Sequence, residues 1–284
     1  MNLMSETFFG GDIDYENSNI VIFGAPFDST TSFRPGARFA SKAMRSESFG
    51  LETYSPYLDA DLTDAKFFDG GDLELSFGDT KSALNDIYTL EEKILNDAKI
   101  PFMVGGEHLV TLPAVEAAFK KHNDLRVIHF DAHTDLRDDY LGAKLSHATV
   151  IRRCYDILGA DKIAQFGIRS GEREEFIFGK KYTNLHAFNF EGLDGILEKF
   201  KNYPVYFTID LDVLDPSVFP GTGTPEAGGV SFIELLSAAM KVIEKSNIVA
   251  LDMVELSPHY DLSGASTAVA LKLLREMILR LGKL

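Results

Sequence analysis

Eight short runs of β-branched and aromatic residues, spaced by stretches of helical period, constrain this chain more than any other feature. They are "NIVIFGAPF" (19–27), "AKFFDGGDL" (65–73), "IPFMVGGEH" (100–108), "LRVIHFDAH" (125–133), "IAQFGIRSG" (163–171), "LHAFNFEG" (185–192), "VYFTIDLDV" (205–213) and "IVALDMVEL" (248–256). Nearly continuous apolar character suits strands buried on both faces, and the intervals suit right-handed crossover helices. The pattern therefore predicts a parallel eight-stranded sheet in an α/β fold.

The helical segments carry their own signals. "SFIELLSAAMKVIEK" starts with Ser231 and Glu234 in capping-box spacing, and Phe232, Leu235, Leu236, Ala239, Met240 and Ile243 form one apolar stripe. "TKSALNDIYTLEEKILND" puts Leu84, Ile87, Tyr88, Ile94 and Leu95 on one face, and Ala265 to Leu281 repeats the pattern. No linker, repeat or low-complexity tract interrupts the 284 residues, so a single domain over 1–284 is expected, and 45% apolar residues suffice for its core.

A formal charge of −15 argues against general affinity for nucleic acid and favours small cationic partners. Cys154, the only cysteine, is expected as a buried thiol in a reducing compartment. The N-terminus lacks a basic segment followed by an apolar one, and no stretch reaches membrane-spanning length, so a cytoplasmic protein with no membrane partner is expected.

The polar motifs gather at the C-terminal ends of the runs, the edge where parallel sheets bind ligands. "GGEH" offers His108. "DAHTD" offers Asp131, His133 and Asp135, which converge on one side if extended geometry continues past residue 131. "TIDLDVLDP" repeats the spacing with Asp210 and Asp212. Ionised carboxylates crowded at the mouth of a buried sheet repel one another unless cations neutralise them, so the three groups together indicate a metal site. Four carboxylates and two imidazoles without a thiolate favour Mn²⁺, with Mg²⁺, Fe²⁺ or Co²⁺ as alternatives. Six ligands suit two ions about 3.5 Å apart that share bridging carboxylates and a hydroxide. The four aspartates balance two dications, and the hydroxide then makes the cluster negative, which suits a cationic electrophile. Glu255 in "DMVELSP" adds a carboxylate to anchor such a cation.

These motifs, with "PGTGTPEAGG", resemble the ureohydrolases, the family of arginase and agmatinase, from "FGAPFDSTTSFRPGARFA" to the last helix. The resemblance implies a three-layer α/β/α fold around the parallel sheet and two Mn²⁺ per subunit. His108, Asp131, Asp135 and Asp210 would hold one ion; Asp131, His133, Asp210 and Asp212 would hold the other. It implies attack of a bridging hydroxide on a guanidinium carbon, with His147, Glu255 and Asp135 as the catalytic set. Glu255 would anchor the guanidinium, with Thr224 and Glu226 as further substrate contacts. His147, in "KLSHATVIRR", would carry the proton that the departing amine needs. Homotrimers or homohexamers are usual in such a family.

The agmatinase branch is the more similar one. "LRDDYLGAKLSH" lacks the asparagine with which arginases meet an α-carboxylate, and Asp138 and Asp139 there would favour an amine-tailed substrate. Glu226 and "FGIRSGEREEF" also resemble that branch. The expected reaction is agmatine to putrescine and urea; N1-aminopropylagmatine, guanidinobutyrate and arginine are the alternative substrates. "SHATV" departs from the "HGT" form of better-known agmatinases, which bears on the distal part of the substrate. A two-metal phosphoesterase would place its D-x-H motif before the glycine turn, the reverse of the order here. A non-catalytic metal-binding homologue would have lost a ligand, His147 or Glu255.

Overall fold

A computed structural model describes residues 6–283, so both extreme ends of the expected 1–284 unit lie outside the described residues. All eight runs are strands of one sheet: β1 (Ile20–Ala25), β4 (Phe67–Asp72), β5 (Ile100–Gly105), β6 (Arg126–Phe130), β7 (Ile163–Ile168), β8 (Asn184–Ala187), β9 (Pro204–Asp210) and β10 (Asn247–Val254). A two-stranded antiparallel ribbon, β2 (Tyr54–Ser55) and β3 (Ala60–Asp61), was not expected, because two-residue strands have no period to read. The sheet order is β4-β1-β5-β10-β9-β6-β7-β8, and every pairing in it is parallel.

Eight helices accompany the strands among the described residues: α1 (Ala40–Ser48), α2 (Thr80–Asn96), α3 (Thr111–Lys121), α4 (Val150–Leu158), α5 (Arg173–Tyr182), α6 (Leu193–Phe200), α7 (Phe232–Lys245) and α8 (Ala265–Leu281). Alternation along the strands splits the core in two. Ile20, Ile22, Phe102, Val104, Phe207 and Ile209 pack with α1, α6, α7 and α8; Val21, Phe23, Met103 and Tyr206 pack with α2, α3 and α4. The result is the expected three-layer α/β/α architecture. The α7 capping box forms as read, with Ser231 Oγ accepting from the Glu234 N–H and Glu234 accepting in return. Cys154 is fully buried, and burial pushes its thiol up to about 12.

The order of the strands positions the site. β5 and β6 follow one another in the chain but are separated in the sheet by β10 and β9. The chain leaves β5, builds the far edge through β6, β7 and β8, and returns to fill the gap. The C-terminal ends of four adjacent central strands, β5, β10, β9 and β6, therefore open on one crevice, where the connections diverge.

Candidate metal centre and active-site cleft

Each central strand delivers its polar residues by a different local device. After β5, Gly106 passes so close to the first crossing loop that a Cβ there would lie 1.8 Å from Phe27 O, and only glycine fits. His108 then opens a short 3₁₀ turn. β6 ends at Phe130, so the extended ladder expected through Asp131, His133 and Asp135 does not exist. The chain turns instead: the His133 N–H donates to Asp131 Oδ1, and Asp135 takes a left-handed φ of 52°. The three side chains converge through that turn and not through strand period. At β9, Asp210 caps a 3₁₀ turn by accepting from the Asp212 N–H at 2.8 Å, which brings Asp212 beside it. Glu255, just past β10, also has a left-handed φ, 66°, and its Oε1 accepts from the His108 N–H at 2.8 Å. Non-glycine residues held at positive φ are costly and cluster at functional sites.

The six expected ligands meet. His108 Nδ1 lies 3.1 Å from Asp131 Oδ2, 3.4 Å from Asp135 Oδ2 and 3.3 Å from Asp210 Oδ2, yet makes no hydrogen bond to any of them. His133 Nδ1 lies 3.0 Å from Asp212 Oδ2 and 3.5 Å from Asp131 Oδ1. Asp131 thus belongs to both groups, and the ligand atoms of Asp131, His133 and Asp212 all fall within 4.8 Å of one another.

The neighbouring bonds fix which nitrogens are free. Thr208 Oγ1 donates to Asp252 Oδ1 at 2.6 Å, so it accepts from His108 Nε2–H at 2.9 Å and leaves the Nδ1 lone pair turned to the aspartates. His129 is buried behind Asp131. The Gln165 amide nitrogen, oriented by the Thr134 carbonyl, donates to His129 Nδ1, so His129 Nε2–H donates to Asp131 Oδ2 at 2.7 Å. His129 is thus a buried donor to an expected ligand.

Electrostatics tests whether cations fit. Burial, with Asp131 beside one and Asp212 and Asp131 beside the other, pushes the carboxyls of Asp135 and Asp210 well above the usual range. Burial alone would depress His108 and His133, but the aspartates overcome it and raise both imidazoles well above their ordinary value. Without ions the site draws protons onto its own histidines to offset its carboxylates. That demand for positive charge, with imidazole lone pairs and carboxylates facing a common space, is what two divalent cations satisfy.

The ligands open on a cleft of about 290 Å³ lined by His108, His133, Asp135, Asp210, Glu255, Thr224, His147 and, toward its mouth, Ser32, Arg137, Tyr140, Glu172 and Glu175. Burial and Glu107 push the Glu255 carboxyl up to about 8, so a cationic partner is needed to hold it ionised at neutral pH. His147 begins a 3₁₀ turn capped by Ser146. Its Nδ1 donates to the Thr30 carbonyl at 3.1 Å, and burial, reinforced by His133 and His108, lowers its pKa to about 4. It is therefore neutral at pH 7, with Nε2 as a proton acceptor.

Three expectations change. Thr224 lines the cleft and its Oγ1 donates to Asp212 Oδ2 at 3.3 Å, but Glu226 does not line it and accepts from Ser170 Oγ behind the wall. Asp138 and Asp139 do not line the cleft: Asp138 pairs with Arg153 at 2.9 Å and Asp139 accepts from the Gly142 N–H. The acidic groups that line the cleft on this side are Glu172, which is exposed, and Glu175, which is buried, both bridged to Arg137. Positions on α5 and just before it carry no sequence signal for meeting this cleft, and Glu107 sits inside a glycine turn that carries none either.

Known proteins similar to this chain identify its family. Residues 18–279 match the model of the arginase family. An agmatinase of Bacillus anthracis is 46% identical over 277 residues, 96% of each chain. The crystal structure of a putative agmatinase from Clostridium difficile superposes with a TM-score of 0.92 at 55% identity, covering 95% of this chain and 99% of that one. Agmatine ureohydrolase of Thermoplasma volcanium gives 0.89 at 34% identity, covering 100% and 96%.

Proposed function

The chain belongs to the arginase family and is a hydrolase of guanidino C–N bonds, and from that premise we propose that it converts agmatine to putrescine and urea. The observation that carries the proposal is Glu255, a buried carboxylate held on the His108 N–H and facing the same cleft as the ligand groups. A guanidinium is planar and always charged, and a carboxylate beside it accepts two parallel N–H bonds.

His108, Asp131, Asp135 and Asp210 would hold one ion, and Asp131, His133, Asp210 and Asp212 the other, with Mn²⁺ favoured by the ligand types. When bound, two such ions supply a hydroxide nucleophile from water near neutral pH. Glu255 would orient the guanidinium toward the ligand groups, and Asp135, which lines the same cleft, would accept a hydrogen bond from the nucleophile. His147 Nε2 would take a proton from solvent water and pass it to the departing amine nitrogen as the C–N bond breaks, without which the tetrahedral carbon cannot release putrescine. Thr224 steadies Asp212.

The similarity to agmatinases supports agmatine over arginine. Among the described residues no helix is long and apolar enough to cross a membrane. The proposal includes one ureohydrolase domain over 1–284, a cytoplasmic setting and a homotrimer or homohexamer. Incubation of the Mn²⁺-loaded protein with agmatine, N1-aminopropylagmatine, guanidinobutyrate and arginine should release urea fastest from agmatine. Urea from none of the four would overturn the proposed reaction, and a faster rate with another would reassign the substrate.

A further inference from the structure

Glu107 stands between Gly106 and His108 but has no place in the proposed ligand set. Its side chain is fully buried and turns away from the cleft to the loop that follows β1. There its two oxygens accept from Thr30 N at 3.1 and 3.2 Å, from Thr30 Oγ1 at 2.6 Å and from Thr31 Oγ1 at 2.7 Å. Thr30 in turn holds His147 twice: its Oγ1 accepts from the His147 N–H at 3.2 Å, and its carbonyl accepts from Nδ1 at 3.1 Å. Ser146 Oγ also approaches Nδ1, at 3.3 Å, but a carbonyl can only accept, so the proton sits on Nδ1. Nε2 has no hydrogen-bond partner among the described residues, and the ring lines the cleft.

We propose that Glu107 is a positioning residue for His147, acting through Thr30. The buried carboxylate pins the loop so that the Thr30 carbonyl selects the Nδ1–H tautomer and leaves the Nε2 lone pair to accept the proton. Other contacts of this loop give His147 no hydrogen bond: Asp28 accepts from the Gly36 N–H at 2.8 Å and pairs with Arg38, and Ser32 Oγ donates to Tyr140 at 3.2 Å, whose ring packs edge-on against His147. Glu107 therefore does for the proton carrier what Asp252 and Thr208 do for His108, setting a tautomer from behind. The inference rests on the reading of His147 as proton carrier, so its test must separate the two.

The test uses the full-length chain, ¹⁵N-labelled at histidine and loaded with diamagnetic Mg²⁺, with the His147 signals assigned by their loss in His147→Ala. Wild type should show a protonated Nδ1 and an unprotonated Nε2. Glu107→Gln and Thr30→Val should mix the tautomers and lower kcat about 10- to 100-fold in the Mn²⁺-loaded enzyme, with KM and bound metal unchanged. Thr30→Ser, which keeps the hydroxyl, should restore both tautomer and turnover. In a His147→Ala background Thr30→Val should cost nothing further. An Nε2–H tautomer in wild type, an unchanged tautomer in both variants, or an undiminished effect of Thr30→Val without His147 would overturn the proposal. If Glu107→Gln does not fold, Thr30→Val decides alone. Full turnover by His147→Ala would sink the proton-carrier role, while the tautomer measurement would still decide whether Glu107 positions the ring.

Discussion

Asp131 does more than any other residue at the site. One oxygen accepts from the His129 Nε2–H and lies 3.1 Å from His108 Nδ1, and the other accepts from the His133 N–H and lies 3.5 Å from its Nδ1. Burial pushes this carboxyl up, but His129, with His108 and His133, outweighs it and holds Asp131 well below the usual range, so it stays ionised as a bridge requires. Asp131→Asn keeps the shape but removes the charge and turns an NH₂ against one of these donors. The variant should bind Mn²⁺ at least about 10-fold more weakly, as even outer partners of metal ligands cost that much, and lose urea release. Metal titration by calorimetry beside the urea assay checks this; stoichiometric metal and full turnover in the variant would remove Asp131 from the site.

At the level of elements, the cleft depends on where strands stop. The Gly106 N–H donates to Ala25 O and its carbonyl accepts from the Glu255 N–H, so the ends of β1, β5 and β10 are tied at one residue. Gly106→Ala would drive a Cβ into Phe27 backbone atoms, at 1.8 Å from O and 2.7 Å from N, and backbone cannot move aside as a flexible side chain does. Overpacking ordinarily costs about 1–3 kcal/mol, and this variant should lie at or above the top of that range in urea denaturation. Ser231→Ala, at the start of α7 and remote from the cleft, should cost only about 1 kcal/mol and leave activity unchanged. Equal stabilities of the two variants would refute the crowding argument.

For the whole molecule, the burial of so many carboxylates at one sheet edge couples metal to stability. Ions that bind the folded chain and not the unfolded one stabilise it by about 4 kcal/mol at a thousandfold excess over Kd, which for a chain of this size raises Tm by roughly 10 °C. Chelator-stripped protein should show that rise on adding Mn²⁺ in calorimetry, and Asp131→Asn should show little of it. A Tm indifferent to saturating metal would mean that protons alone satisfy the site. The formal charge of −15 acts at the same scale, drawing cations toward the protein, but it carries no information about which edge of the sheet receives them.

Strands, sheet direction, helices and ligand types were all legible in the chain, because burial on both faces imposes near-continuous apolar runs, and because hard cations require carboxylates and imidazoles wherever they bind. Eight runs became eight parallel strands, and the six expected ligands meet in one place. Period could not say how they meet. Asp135 and Glu255 reach the cleft through left-handed turns, Asp212 through a 3₁₀ turn capped by Asp210, and neither device has a repeat to read. Nor could it show that Asp138 is spent on Arg153, that Glu226 lies behind Ser170, or that Glu107 reaches 77 residues back to Thr30. Those pairings are decided by which strands become neighbours, and β5 and β6 are parted by strands made last in the chain. Local sequence specifies each residue's chemistry and its element; only the closed tertiary packing determines what that chemistry faces.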